Sequence, residues 1–264
     1  MPKIKVGDIQ YFILTAGAGP AIVLIHGLGG GSGEWWKQIH DFSRRYRVVA
    51  PDLRGHGQSD KPDEAAYTPS TFANDLSLLL DELKIRRAWF CGISMGGFVT
   101  LRMALDFPEK VAGMILTSTA SYVDEYTLKV GSRWGEAFLS KGFDAYMKLL
   151  IEDVFDPSYI RSYEADIKKF VEDQKHRDPE TVRRAGLGAA TFDVRADLPD
   201  ISQPTLVVHG ENDRVVLPQH AKLLHEQIGH SELLIIPECG HFVILEKPEA
   251  FNKDVLDFIA RHQT

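Results

Sequence analysis

Residues 91–98 read CGISMGGF, and Ser94 is the first side chain whose neighbours suggest chemistry. Gly92 and Gly96 stand two residues to either side of it, between an apolar run and a stretch able to form a helix. A tight turn with a convenient polar residue would explain the pattern. So would a G-x-S-x-G elbow, in which a strained serine holds its hydroxyl clear of a sheet. The chemistry of the second reading requires partners. A serine hydroxyl is a poor nucleophile at neutral pH, so a histidine must take its proton and later return it to the leaving group. A carboxylate on the other ring nitrogen must hold the tautomer and stabilise the imidazolium. His241, after Pro237-Glu238-Cys239-Gly240, and Asp213, after Gly210-Glu211-Asn212, are the candidates. Rivals for the acid are Glu211, in the same stretch, and Asp124 or Glu125, after an earlier apolar run. The developing oxyanion needs backbone N–H donors. Met95, opening the helix after Ser94, is one; Leu28, in the loop HGLGGG at 26–31, is the other. His26 reads as an anchor of that loop, and Gly29, Gly30 and Gly31 allow its close approach.

These residues need a scaffold that brings them to one edge. Short Val-, Ile- and Leu-rich runs at 21–25, 46–50, 88–93, 111–116, 205–208 and 232–236 each end in turn residues. Runs apolar throughout suit strands buried on both faces of a parallel sheet. Residues 4–6 and 9–14, split by Gly7-Asp8, read as an antiparallel hairpin at its edge. Helical stretches at 33–44, 71–83, 95–107, 218–228 and 248–259 lie between or after the runs. The expected fold is α/β: a mostly parallel, eight-stranded sheet with helices on both faces and right-handed crossovers. Ligands of such a sheet collect at the carboxyl ends of its strands, where Ser94, Asp213 and His241 each fall.

Residues 121–197 break the alternation. They show helical periodicity at 128–139, 143–151, 159–171 and 179–192, with aromatics including Tyr122, Tyr126, Trp134, Phe138, Phe143, Tyr146 and Phe155. Residues 1–120 and 198–264 therefore read as the core and 121–197 as an inserted helical cap. A helical insert beside a catalytic strand end is how a lid is built. The expected pocket is apolar, walled by Leu28, Met95, Val215 and Phe242 from the core and by Trp134 and Met147 from the cap.

Composition narrows the classes. The chain has 264 residues, 44% hydrophobic and 25% charged, with net charge -7. A mildly acidic surface would repel phosphates and argues against nucleic acid. No apolar run approaches the ~20 residues of a membrane span, and the N-terminus has no signal-peptide core. Two cysteines, Cys91 and Cys239, make no disulfide framework and are expected as free thiols under the site. A cytoplasmic enzyme is the default expectation, with no cofactor and, since no His/Cys/carboxylate cluster has ligand spacing, no metal. DLRGHGQSD at 52–60 lacks the Lys-Ser/Thr ending of a phosphate loop. It reads as structural, with Arg54 and Asp60 satisfying backbone groups. Trp35 and Trp36 are expected under the first helix or at the cap hinge.

HGLGGG at 26–31, DLRGHGQSD at 52–60, GISMGG at 92–97, GENDRVV at 210–216 and CGHFVILEKPEAF at 239–251 together resemble the α/β-hydrolase superfamily. The resemblance spans nearly the whole chain, and the order Ser…Asp…His is that family's. Within it the chain looks most like helical-capped carboxylesterases and 3-oxoadipate enol-lactonases. The resemblance implies hydrolysis of a small-to-medium carboxylic ester or lactone through an acyl-enzyme on Ser94. Meta-cleavage-product C–C hydrolases are near neighbours, but their Gly-Pro-Gly type of oxyanion loop is HGLGGG here, and Phe242 replaces their Trp after the histidine. Cofactor-free perhydrolases share the triad. A small-molecule receptor that retains fold and triad is the non-enzymatic alternative. Serine at 94 argues against dehalogenases and epoxide hydrolases, which form an alkyl ester on Asp.

Overall fold

The apolar runs pair into one sheet, described by a computed structural model covering residues 3–175 and 177–263. Its strands are β1 (Lys3–Val6), β2 (Ile9–Ala16), β3 (Ala21–Ile25), β4 (Arg47–Pro51), β5 (Ala88–Ile93), β6 (Val111–Thr117), β7 (Thr205–Gly210) and β8 (Ser231–Ile236). They lie in the order β1-β2-β4-β3-β5-β6-β7-β8. The β1–β2 hairpin and the β2–β4 pair are antiparallel. Every pairing from β4 through β3 to β8 is parallel. Every residue of β3, β5 and β7 is buried, which is why these strands carry no polar alternation.

The helices of the core are α1 (Trp36–Phe42), α2 (Pro69–Glu82) and α3 (Met95–Asp106). Between β6 and β7 come α4 (Glu125–Lys141), α5 (Phe143–Val154), α6 (Pro157–Ser162), α7 (Glu164–Gln174) and α8 (Pro179–Ala189). The chain closes with α9 (Gln219–Gln227), α10 (Val243–Glu246) and α11 (Pro248–His262).

Two helical expectations need correction. The stretch at 159–171 is two helices. Asp156 caps α6 by accepting from Ser158 N–H, Pro157 fixes its first turn, and Tyr163 leaves helical geometry (φ -125°, ψ 52°) before α7 starts. Tyr159 stacks on Phe155 and Tyr163 on Tyr159, which supports the bend. The helix expected at 33–44 begins instead as a 3-10 turn, Ser32–Trp35, before α1. Its Ser32 N–H is drawn 2.7 Å from the Asp52 carboxylate.

The helices inserted after β6 join the core through a narrow antiparallel neck. Val123 N–H donates to Phe192 O at 3.0 Å, and Val194 N–H to Ser121 O at 2.8 Å. Phe192 stacks on Phe98 of α3 with ring centroids 4.5 Å apart, so the neck rests directly on the helix that follows Ser94. Among the described residues no helix is long and apolar enough to cross a membrane.

Candidate active site

Ser94 stands at the junction of β5 and α3 with φ 54° and ψ -120°, a conformation L-residues avoid. Its backbone is pinned on both sides. Its N–H donates to Thr117 O at 2.9 Å, and its C=O accepts from Gly97 N–H at 2.8 Å and the Thr119 hydroxyl at 2.7 Å. The flanking glycines are steric necessities. A Cβ on Gly92 would lie 2.1 Å from Gly96 O, and one on Gly96 would lie 2.2 Å from Ile25 O. The bend is thus possible only because helix, strand β5 and strand β3 approach without side chains between them.

Asp213 and His241 are brought together across the loops after β7 and β8. Asp213 Oδ2 lies 2.8 Å from His241 Nδ1. Asp213 Oδ1 accepts from Val215 N–H at 2.8 Å and Val216 N–H at 3.0 Å. Burial works to raise the Asp213 carboxyl, but the charge of His241 and hydrogen bonds from His209 and His241 outweigh it, holding it well below the usual carboxylate range. The rival carboxylates are engaged elsewhere. Asp124 caps α4 through Thr127 N–H and lies 3.0 Å from His220 Nε2. Glu125 pairs with Lys129, and Glu211 accepts from Glu238 N–H. Among the described residues no hydrogen bond joins the Ser94 hydroxyl to His241. Such bonds are often long before substrate arrives.

The His241 loop is stitched to the inserted helices. His241 N–H donates to Val154 O at 2.7 Å. Glu246 of α10 accepts from the N–H groups of Gly240, Phe242 and Asp156. Burial pushes its carboxyl up to about 7 against those three donors. Gly240 has no room for a side chain, because a Cβ would lie 2.5 Å from Val154 O.

The loop after β3 abuts Ser94: a Cβ on Gly27 would lie 3.4 Å from Ser94 Cβ. The peptide unit that carries Leu28 N–H is held by its own carbonyl. Gly27 O lies 2.8 Å from His26 Nδ1 and accepts from Gly30 N–H at 3.1 Å. His26 Nε2 accepts from Leu53 N–H at 3.0 Å, which places the ring proton on Nδ1. Burial lowers His26 to about 4, so the ring is neutral. Arg177, between α7 and α8, reaches the same loop. It lies 3.5 Å from Leu28 O and 2.8 Å from Glu34 Oε1. Burial pushes Glu34 up to about 7 despite this partner.

The other expected site residues are spread more widely. Met95 and Val215 are buried at the β5 and β7 ends. Phe242 packs edge-on against Phe155 and lies near Phe170 of α7. Leu28 Cδ2 is 4.0 Å from the position of a Cβ on Gly186 in α8. Met147 is buried in α5, and Trp134 Nε1 donates to Asp153 Oδ2 at 2.7 Å, across the α4–α5 seam. Trp35 is fully buried, in keeping with packing under the first helix, whereas Trp36 is half exposed. It borders a cleft of about 40 Å³ with Glu34, Phe170, Gln174 and Phe242. Arg54 also departs from expectation: its guanidinium is held by the carboxylates of Asp75 and Glu64, not by backbone groups. Asp60 does accept from Gln10 N–H at 2.9 Å. Cys91 and Cys239 are buried free thiols, both raised by desolvation. Among the described residues no group of three or more His, Cys, Asp or Glu is arranged to hold a metal ion.

Sequence reasoning missed His209, Glu246, Glu34 and Arg177. Glu246 lies inside a quoted motif and His209 just before one, but only their burial against the loops reveals a task. Arg177 sits in a loop with no local signal.

The family model described as "alpha/beta hydrolase fold" matches residues 20–248. The chain belongs to the α/β-hydrolase family. It is 32% identical to 3-oxoadipate enol-lactonase 2 of Acinetobacter baylyi, over 89% of this chain and 87% of that protein. It is 30% identical to a 2-hydroxymuconate semialdehyde hydrolase of a Pseudomonas species, over 98% of this chain and 93% of that protein. Among solved structures, a thermophilic esterase from Thermogutta terrifontis superposes with a TM-score of 0.89 at 27% identity, covering 99% of this chain and 97% of that one. The enol-lactonase from Burkholderia xenovorans superposes with a TM-score of 0.90 at 27% identity, covering 98% of this chain and 100% of that one. The protein is therefore a hydrolase of the α/β family, and the enol-lactonase and the 2-hydroxymuconate semialdehyde hydrolase it resembles are named for small-molecule substrates.

Proposed function

We propose that the protein is a serine hydrolase cleaving small-to-medium carboxylic esters or lactones, with Ser94, His241 and Asp213 as its triad. The observation that carries the reading is the left-handed, fully pinned Ser94 at a strand-to-helix bend, beside a loop held in place by His26. Strain of this kind persists only where the surroundings over-determine it. The bonded pair Asp213–His241 at the neighbouring strand ends supplies the base and its orienting acid.

The steps follow from these groups. Ser94 Oγ attacks the acyl carbon as His241 Nε2 takes the hydroxyl proton. The carbonyl π pair moves to oxygen, where Met95 and Leu28 N–H groups stabilise it. Collapse breaks the C–O bond, and the departing alkoxide takes the proton from His241. In a lactone the leaving oxygen stays tethered to the acyl group. Water then gives a proton to His241 and its oxygen to the acyl carbon; the acid leaves and Ser94 Oγ recovers its proton. Losing one oxyanion donor in such a site costs about 3 kcal/mol of transition-state stabilisation.

Residues 121–197 act as the cap in this reading, with substrate between cap and sheet. Leu28, Met95, Val215 and Phe242 form the core wall, and Trp134 and Met147 belong to the cap side. The approach of Val182, Gly186 and Arg177 to the Leu28–Gly29 loop supports this closure. C–C bond hydrolysis is a second reading, favoured by the 30% identical hydrolase of 2-hydroxymuconate semialdehyde. One panel separates them: p-nitrophenyl esters of rising length, lactones including an enol-lactone, and a ring-fission dienoate. A serine-directed fluorophosphonate should label Ser94, and Ser94→Ala should lose ester turnover by several orders of magnitude. Preferential cleavage of the dienoate would replace the ester reading; a folded Ser94→Ala variant with near-normal turnover would end both.

A further inference from the structure

His209, the penultimate residue of β7, is fully buried and takes no part in the steps above. Its Nε2 lies 2.8 Å from Val216 O and 3.1 Å from Asp213 Oδ2. Both neighbours are acceptors, so the ring proton is on Nε2; it is hydrogen-bonded to Val216 O, with Asp213 Oδ2 as the second, electrostatic contact. Its Nδ1 is buried without a partner. Nothing therefore competes for the ring on its other side, and the ring is oriented by this one fork. The fork also completes Asp213. A carboxylate offers about four acceptor sites. Those of Asp213 face Val215 N–H, Val216 N–H, His241 Nδ1 and His209 Nε2.

We propose that His209 is a positioning residue: its Nε2–H fixes the Asp213 carboxylate so that Oδ2 faces His241, and its share of the Oδ2 charge sets the basicity of the catalytic imidazole. The proposal rests on Asp213 being the catalytic acid. Two consequences follow. Without His209, Oδ2 keeps His241 as its one partner while Val215 and Val216 N–H still hold Oδ1, so the Oδ2 end of the carboxylate and with it His241 are oriented less well, which lowers kcat more than it changes KM. Oδ2 also gives its charge to His241 alone, which stabilises the imidazolium and raises the pH at which the base becomes free. The other charged groups in these loops are Glu211, which accepts from Glu238 N–H, Glu238 itself, Arg214, which donates to Glu152 O, Asp156, which accepts from the Asn212 amide, and Glu246 and Lys247 of the α10 turn. None of them changes in the variants below.

The test compares His209→Leu, His209→Gln and His209→Asn in the full chain, with p-nitrophenyl ester hydrolysis followed from pH 5 to 9. Leucine removes the donor. Glutamine returns an amide N–H near the place of Nε2, whereas asparagine is too short to reach Oδ2. For His209→Leu we expect kcat to fall on the order of tenfold, KM to stay within about twofold, and the acidic limb of kcat/KM to move up by about half a pH unit. Glutamine should restore both the rate and the limb, and asparagine should not. If the leucine variant does not fold, the glutamine–asparagine pair carries the same comparison. Glutamine and asparagine behaving alike would overturn the proposal. So would a folded His209→Leu enzyme whose acidic limb is unmoved, because a merely structural residue lowers stability without retuning the base. Asp213→Asn is assayed beside them. Full activity there would remove the acid assignment and this proposal with it. An inactive Asp213→Asn with unaltered His209 variants would overturn the His209 role alone.

Discussion

Replacing Ser94 with glycine should leave a more stable protein than replacing it with alanine. The two variants lose the same hydroxyl and differ only in one methyl group. In the native bend that methyl is the reason the backbone is strained, since φ 54° and ψ -120° is a region open mainly to glycine. Residues held in such regions cost about 1–3 kcal/mol. Glycine relieves that cost but gives the unfolded chain more freedom, which takes back about 0.5–1 kcal/mol. The difference should be about 1 kcal/mol in favour of glycine, or about 2–4 °C in Tm for a chain of this size. Urea denaturation at neutral pH reads it directly, as a higher midpoint for Ser94→Gly at an unchanged slope. Both variants should be inactive toward esters. A Ser94→Ala protein as stable as Ser94→Gly would refute the reasoning, because the bend would then hold no strain.

Asp213→Asn should lower kcat on the order of 10³–10⁴-fold by presenting the wrong group to His241 Nδ1, whereas Asp124→Asn, next to His220, should stay within about threefold; steady-state kinetics with the reverse ranking would move the acid to the end of β6. Burial lowers His26 to about 4 and His56 to about 3, so both are neutral when folded and take up protons when unfolded below about 6.5. Their stability contribution is present above pH 6.5 and is lost as the pH falls from there toward 4, while the raised carboxyls of Glu34 and Glu246 act in the opposite sense in both proteins; the urea midpoint of His56→Leu should therefore gain on that of the wild type between pH 7 and 5, and a difference that stays constant over that range would contradict this. Chain-length preference should reside in the cap: ester affinity rises by about 0.8 kcal/mol per methylene until a wall is met. Trp134→Ala should shift that optimum, as should Val182→Trp, whose native Cγ2 lies 3.0 Å from a Cβ placed on Gly29; a C2–C12 ester profile unmoved by both would exclude the cap as the source of selectivity.

The central strands were legible because a strand buried on both faces needs apolar side chains at every position, and such runs announce themselves without context. β3 and β5 fall on the expected residues, and β7 extends two residues beyond the expected run because His209 and Gly210 are not apolar. The elbow was legible for a related reason. Close approach of backbone to backbone excludes side chains, so glycine at 92 and 96 records a tertiary distance in the sequence itself. Chain order and strand ends also nominated Ser94, Asp213 and His241 from primary structure. What no local pattern holds is which polar groups meet across loops distant in sequence. The 159–171 stretch kept its helical spacing on paper, yet capping by Asp156 and stacking of Tyr159 split it in two. Trp35 and Trp36 are neighbours with opposite fates, set by which side of the 3-10 turn faces the core. His209 against Asp213, Glu246 against the His241 loop and Arg177 against Leu28 are pairings of this kind. A buried polar group must find its partner wherever the fold puts one, and the separation along the chain leaves no period to read.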